Sequence, residues 1–201
     1  MTMTTDAPTR RRPHFHRQPS APLWLTEDDK KIIAHVGAHR FRRAPDIARF
    51  INRPPKKIVE RLTELFHAGY LDRPQAQLEF FTPSNRPPYV YALGTKGAAL
   101  LAELHGDAAP KIDWTDKNRA VGRPFIHHSL LIGDVMTAAE RVAPAHPGVQ
   151  LITAKHILAA APEKTQRSVN PWKLTATLLV DGNTQHPASI VPDKEIGRAH
   201  V

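Results

Sequence analysis

Apolar residues recur every three or four positions along the first well-patterned stretch of the chain. In EDDKKIIAHVGA this spacing places Ile32, Ile33 and Val36 on one side of a helix. Thr26 precedes the stretch as an N-cap, and the acids that follow it suit the positive end of a helix dipole. The pattern predicts a first helix from about Glu27 to Ala38.

Two further periodic stretches follow, RAPDIARFI and PPKKIVERLTELFHA. A proline fits the first turn of each helix, because the first backbone donors of a helix have no partner there. In the third helix Ile58, Leu62, Leu65 and Phe66 fall on one side at helical spacing. Gly69 then supplies the left-handed residue at which helices often end.

Strand-like runs come next. YLDRP and PPYVYALG are predicted strands, and QAQLEFFTPSNR between them is predicted to be a long hairpin tip. Thr95 then caps a fourth helix, KGAALLAEL. Three helices followed by a hairpin are the layout of a winged helix-turn-helix, whose third helix enters the major groove of DNA. We therefore assign residues 23–105 to a winged helix-turn-helix DNA-binding domain.

The remaining chain divides into a linker, residues 106–122, and a second domain, residues 123–195. FIHHSLLIGDVMTAAERVAP predicts a helix of about 15 residues with a broad apolar face, whose start His127 and His128 cap. A metal site at these histidines is the weaker alternative, because adjacent side chains diverge on a helix. VQLITAKHIL, KLTATLLVDG and ASIVPDKEI are strand-like. The predicted fold class is α+β. We expect the small second domain, α/β or α+β, to be incomplete, because the chain stops as the third strand ends.

Charge and composition favour a polyanionic partner. The net charge is +9, and residues 1–100 carry 17 Lys and Arg against 9 Asp and Glu. The chain has no cysteine, which excludes disulfides and thiolate metal sites. No stretch approaches the roughly 18 apolar residues of a membrane span, and no Walker or dinucleotide motif appears. We expect a cytoplasmic protein that binds double-stranded DNA without a membrane or a small-molecule cofactor. A homodimer is a candidate state, and the sequence does not decide the oligomeric state.

Basic residues around the start of the third helix are the candidate DNA contacts. Arg53, Lys56 and Lys57 lie in its first turn or just before it. Glu60 and Glu64 oppose phosphate contact and help only where a cytosine amino group is read. The full candidate set is Arg53, Lys56, Lys57, Arg61 on the helix flank, Arg73 and Arg86 beside the wing, and Arg10, Arg11, Arg12 and Arg17 in a disordered basic arm, residues 1–22. For each of them a solvated surface charge is the alternative.

Residues 24–195 resemble the replication-relaxation family of bacterial plasmid and mobile-element proteins. Three motifs carry the resemblance: AGYLDR...YALGTKG, HHSLLIGDVMTAAE and VPDKEI. The resemblance implies DNA binding in plasmid or mobile-element replication, relaxation or mobilisation. It also implies a second domain like the PD-(D/E)XK nuclease fold, in which Asp193 corresponds to an aspartate that binds a metal ion such as Mg²⁺.

The nuclease alternative is incomplete in this sequence. A hard cation needs two or more oxygen ligands and a lysine nearby, yet no Asp/Glu-x-Lys follows Asp193. Glu140 is a candidate further ligand, although a solvated acid near a helix end is the favoured interpretation. The closing EIGRAHV resembles a translated sequencing adapter, so residues 196–201 are predicted to be a non-native tail. A metal-dependent nuclease and a winged-helix transcriptional regulator therefore stay open as alternatives.

Overall fold

The computed structural model describes residues 15–20, 22–82, 84–106, 113–152, 154–180, 184–190 and 197–198. The fold is α+β, with mostly helices and a small three-stranded antiparallel sheet. The chain forms two compact units, Met1–Gly133 and Asp134–Val201. Among the described helices, none combines the length and the apolar character that crossing a bilayer requires.

The first unit contains the three predicted helices and the small sheet. Its described elements are α1 (Glu27–His39), β1 (Phe41–Arg43), α2 (Ala44–Ile51), α3 (Pro55–Ala68), β2 (Leu71–Asp72), a 3₁₀ helix (Gln75–Phe80), β3 (Val90–Leu93), α4 (Thr95–His105), α5 (Trp114–Arg119) and the start of α6 (Arg123–Val142). The first three helices begin and end within one or two residues of their predicted positions.

Local signals fix the ends of these helices. At the start of α1, the Asp29 backbone N–H donates to Thr26 Oγ1 at 3.3 Å, and the Thr26 N–H donates to Asp29 Oδ2 at 2.7 Å. This reciprocal pair is a capping box, which satisfies donors that would otherwise have no partner. Helix α3 ends at Gly69, whose φ of 88° is the left-handed conformation that glycine adopts without strain.

One hydrophobic core lies among α1, α2, α3 and one face of the sheet. Its fully buried members include Ile32, Ile47, Leu62, Leu65 and Tyr91. The predicted apolar side of α3 is confirmed, since its four residues are at most 4% exposed. Each buried methylene group stabilises the fold by about 0.8 kcal/mol. Turning α3 about its axis would expose these groups, so its buried side fixes its rotation.

A second, smaller core covers the opposite face of the sheet. Phe41, Val90 and Ala92 pack there against Ile126 and Leu130, which belong to the first turns of α6. The compact unit thus continues to Gly133, beyond the domain end at residue 105 that the sequence predicted.

Strand β1 is absent from the sequence prediction. The sheet order is β1-β3-β2, and Phe41 pairs with Ala92 while Leu71 pairs with Leu93, both antiparallel. Three residues are too few to display an alternating pattern, so β1 follows from pairing with a distant strand and not from local periodicity. The observed order is helix, strand, helix, helix, strand, strand, helix.

Two details of the predicted hairpin region are corrected. The connection from β2 to β3 contains a 3₁₀ helix, where a long hairpin tip was expected. The N-cap of α4 is Gly94, and the predicted cap, Thr95, is the first helical residue and donates to Asp113 Oδ1 at 3.1 Å. A Cβ on Gly94 would lie 2.4 Å from the Gly69 carbonyl oxygen, so close backbone contact requires glycine there.

The predicted linker, residues 106–122, contains helix α5. Asn118 in this helix is 1% exposed, and its amide donates to Asp72 Oδ2 at 3.2 Å and to the Leu93 carbonyl at 2.9 Å. These bonds connect α5 to strands β2 and β3. They join residues 25 and 46 positions apart in the chain, so a composition-based prediction of a linker does not detect them.

Helix α6 is longer than predicted. It has 20 residues and begins at Arg123, where a helix of about 15 residues was expected. His127 and His128 therefore lie inside the helix, and their predicted role as caps of its start is wrong.

The second unit differs from its predicted strand pattern. Its described elements after α6 are a 3₁₀ helix (Ala143–Ala145), β4 (Leu151–Ile152), α7 (Ala154–Ala159), α8 (Glu163–Gln166), β5 (Leu174–Val180), β6 (Thr184–Ile190) and β7 (Gly197–Arg198). The stretch VQLITAKHIL was predicted to be one strand. It contains the two-residue strand β4 and most of helix α7. In the described part, β4 pairs with β7 and β5 with β6, both antiparallel. The likeness to a nuclease fold and the non-native tail stay predictions.

Candidate nucleic-acid interface

The predicted basic residues in the first turn of α3, and just before it, are presented to solvent. Arg53, Lys56 and Lys57 are all exposed. Arg53 Nε donates to Asp28 Oδ2 at 3.0 Å, and the two side chains are 60% and 36% exposed. Within the described residues, neither lysine ammonium has an ion-pair or hydrogen-bond partner. The structure thus brings these three candidates together at one end of one helix.

The charges in this turn oppose the stability of the helix. The first turn of α3 carries no acid, while Lys56 and Lys57 lie next to the positive end of the helix dipole. A cation there costs about 0.3–1 kcal/mol, because the dipole repels it. Free backbone donors at a helix start attract phosphate groups, and both lysines strengthen this attraction. This turn therefore concentrates positive charge at the expense of local stability. We call Arg53, Lys56 and Lys57 the entry-turn cluster.

Arg61 links α3 to α1. Its Nε and Nη2 donate to Asp29 Oδ1 and Oδ2 at 2.8 and 2.6 Å, and Nη1 donates to Glu64 Oε2 at 2.6 Å. Nη2 also donates to the Trp24 carbonyl at 2.7 Å. The hydrogen bonds that Arg61 donates to Asp29 raise the pKa of its guanidinium. Although Arg61 was predicted to reach a phosphate, these bonds direct its guanidinium to the protein.

The Asp29 carboxylate is held ionised by the same contacts. Its burial alone would raise its pKa, but the hydrogen bonds from Arg61 and Thr26 outweigh burial and lower it. Asp29 is 1% exposed, so the pair joins a buried carboxylate to a partly exposed guanidinium. Arg61 and Asp29 therefore set the position of α3 relative to α1.

Arg73 is buried and does not face solvent. It is 4% exposed, and its Nη2 donates at 2.8 Å to Thr63 Oγ1 and to Tyr91 Oη. Its guanidinium carbon lies 4.6 Å from the ring centre of Phe66 and 4.7 Å from that of Tyr89. These contacts stabilise the core by cation–π packing. Arg73 is therefore not part of the proposed interface, because a phosphate cannot reach it without opening this core.

Arg86 remains exposed beside the tip of the β2–β3 connection. The tip is closed by the Thr82 N–H, which donates to the Asn85 carbonyl at 2.8 Å, and by the Asn85 N–H, which donates to Thr82 Oγ1 at 3.0 Å. Arg86 follows this turn directly. Contact between Arg86 and a DNA backbone stays a prediction.

Arg17 is bound to the C-terminal end of α3. Its Nε donates to the Phe66 carbonyl at 3.0 Å, and its Nη2 donates to the Leu71 carbonyl at 3.3 Å and to Asp72 Oδ1 at 3.4 Å. The helix carbonyls near a C-terminus need such donors. Arg17 was expected to reach phosphates from a disordered arm. In the structure its guanidinium instead binds the end of α3 and strand β2. No local sequence signal marks this role, because its partners lie about 50 residues away.

Other predicted site residues cannot be placed. Arg10, Arg11, Arg12 and Asp193 lie outside the described residues.

His127 lines a cavity of about 260 Å³ together with Phe80, Phe81, Pro87 and Leu130. This cavity is mostly apolar, and its surroundings do not provide the carboxylate oxygens that Mg²⁺ prefers.

Comparison with known protein families identifies the chain. Residues 33–192 match the model of the replication-relaxation family. The match covers more than half of the chain, and the protein belongs to this family. It includes the entry-turn cluster, the sheet and helix α6. Comparison with curated proteins and comparison with solved structures give no match.

Proposed function

We propose that the first unit is a winged helix that binds double-stranded DNA through α3. The order α1, β1, α2, α3, β2, β3 and the antiparallel β1-β3-β2 sheet support this assignment. In such a fold the N-terminal part of the third helix contacts base edges, and the loop between the last two strands contacts the backbone. The β2–β3 connection with Arg86 would be the wing.

We propose further that the protein acts in plasmid or mobile-element replication, relaxation or mobilisation. Family membership supports this role. The observation that carries DNA binding is the orientation of α3: its apolar side is buried, and the entry-turn cluster at its start is exposed. Cytoplasmic location and homodimer formation accompany this proposal as expectations. The nuclease alternative depends on Asp193, which lies outside the described residues. It and the regulator alternative stay open.

The direct test is the salt dependence of binding to duplex DNA. A variant with Arg53, Lys56 and Lys57 all changed to Ala should bind a random duplex more weakly. Each phosphate contact contributes about 0.9 to the slope of log K against log salt, so the slope should become shallower by about 2–3.

A matched control removes three cations elsewhere on the same unit. Lys96, Lys117 and Arg119 are exposed and lie on α4 and α5. Changing all three to Ala alters the net charge equally and should leave most of the slope intact. If both triple variants lose the same slope, binding depends on overall charge and the assignment of the entry-turn cluster is wrong.

A further inference from the structure

Glu60 differs from the other acids of α1, α2 and α3. The others form ion pairs with nearby cations, namely Glu27 with Lys30, Asp28 with Arg53, Asp29 with Arg61, Asp46 with Arg49, and Glu64 with Arg61. Glu60 is exposed, and within the described residues its carboxylate has no hydrogen-bond or ion-pair partner. Even Lys56, four positions earlier on the same helix, does not pair with it.

The direction of the Glu60 side chain follows from the burial of α3. Successive helical residues are rotated by about 100°, which places Glu60 almost directly opposite the middle of the buried side formed by Ile58, Leu62, Leu65 and Phe66. Lys56 and Lys57 then lie on either side of it, about 40–60° away. Glu60 therefore occupies the centre of the solvent-facing side, one turn after the helix start.

A carboxylate at this position weakens any contact with phosphates. It lies between two lysines and carries the charge that DNA repels, so it reduces non-specific affinity. The base edges of the major groove offer one compensating partner, because the cytosine N4 amino group is a donor that a glutamate accepts. Side chains along the middle of the exposed side of a recognition helix point towards base edges. Side chains at the margins of that side lie closer to the DNA backbone.

We propose that Glu60 is a specificity-determining residue that reads a C·G base pair by accepting a hydrogen bond from cytosine N4. The proposal rests on the DNA-binding function proposed above. Lys56 and Lys57 hold the flanking phosphates and set the depth of the helix in the groove. Glu60 lowers affinity for most sequences and restores it where cytosine faces the carboxylate.

The test is selection of bound sequences from a random duplex pool by the full chain. The wild-type chain should enrich cytosine at one position. Glu60→Gln should move the preference at that position to adenine, since an amide pairs with adenine N6 and N7. Glu60→Ala should flatten it. In titrations the wild-type chain should prefer the C·G pair by about five- to tenfold, the lower part of the range for one base contact.

A matched control is Glu103→Gln, which makes the same change of charge on α4 at an exposed site. It should leave the selected sequence unchanged. The proposal is overturned if Glu60→Gln and Glu60→Ala strengthen binding to all sequences equally and the selected sequence does not change, because Glu60 then acts only by repulsion. A wild-type chain that binds no duplex at all contradicts the DNA-binding function itself, which separates the two failures.

Discussion

The ion pair between Asp28 and Arg53 leads to a prediction with two opposite effects. Arg53 Nε donates to Asp28 Oδ2 at 3.0 Å in the free protein, so binding of a phosphate competes with this bond. Changing Asp28 to Asn weakens the competing bond and removes one negative charge beside the entry-turn cluster. DNA affinity should therefore rise while the stability of the fold falls.

The magnitudes follow from the exposure of the pair. Both side chains are more than a third exposed, at 60% and 36%, so the bond contributes only about 0.2–1 kcal/mol. Asp28→Asn should strengthen binding to a random duplex by about two- to fivefold at low salt, since 1.4 kcal/mol corresponds to a factor of ten. It should lower the free energy of unfolding by about 0.5–2 kcal/mol, because the acid also favours the start of α1.

The assay combines fluorescence anisotropy with a labelled duplex and urea unfolding. Glu27→Gln is the control, because Glu27 lies in the same turn of α1 but pairs with Lys30 at 2.7 Å. It should cost similar stability and give a smaller gain in affinity. Equal affinity gains from the two variants would refute the idea that Asp28 holds Arg53 back from DNA.

Three further predictions concern the scaffold. Arg73→Ala should lower the free energy of unfolding by about 2–4 kcal/mol through lost hydrogen bonds and ring contacts, as urea unfolding measures, and should leave DNA affinity per folded molecule unchanged. Burial, and then the charges of His39 and Arg42, lower the pKa of His35 to about 3. Because only the unfolded chain takes up a proton between pH 6.5 and about 3, stability should fall as pH falls, by up to about 1.4 kcal/mol per pH unit. Gly97→Ala places a Cβ 2.2 Å from the Tyr70 carbonyl oxygen, and the melting temperature should drop with a loss of about 1–3 kcal/mol.

Controls separate these effects from general damage. His35→Gln should remove most of the acid-side loss of stability, and an unchanged pH profile would contradict the assignment to His35. Gly122→Ala meets only Pro124 Cδ at 3.7 Å and should be nearly neutral. If it destabilises as much as Gly97→Ala, close backbone contact is not the cause. A loss of DNA affinity in folded Arg73→Ala would return Arg73 to the interface.

Helix α3 could be predicted from the sequence because its signals are local. The apolar period of Ile58, Leu62 and Leu65, the proline start and the Gly69 end all lie within 16 residues, and the structure confirms each. The exposed position of the entry-turn cluster follows from the same period. Features that depend on helical spacing can therefore be predicted from the sequence.

Long-range partners account for most of the differences between the predicted and the observed surroundings of the candidate basic residues. Arg73 and Arg17 are basic, as DNA contacts usually are. Their partners Tyr91 and Phe66 are distant in the sequence, and only the fold brings them together. Strand β1 exists because β3 pairs with it, 47 or more positions later in the chain. Arg61 and Asp29 are likewise 32 residues apart. A basic residue therefore cannot be assigned to solvent or to the core without the tertiary contacts.

The central claim, that the start of α3 touches duplex DNA, is tested most directly by site-specific crosslinking. A photoreactive amino acid at position 57, and in a separate chain at position 96 on α4, is irradiated with a labelled duplex. Position 57 should give a crosslink that unlabelled duplex competes away, and position 96 should give little. Crosslinking from position 96 without crosslinking from position 57 would contradict the account.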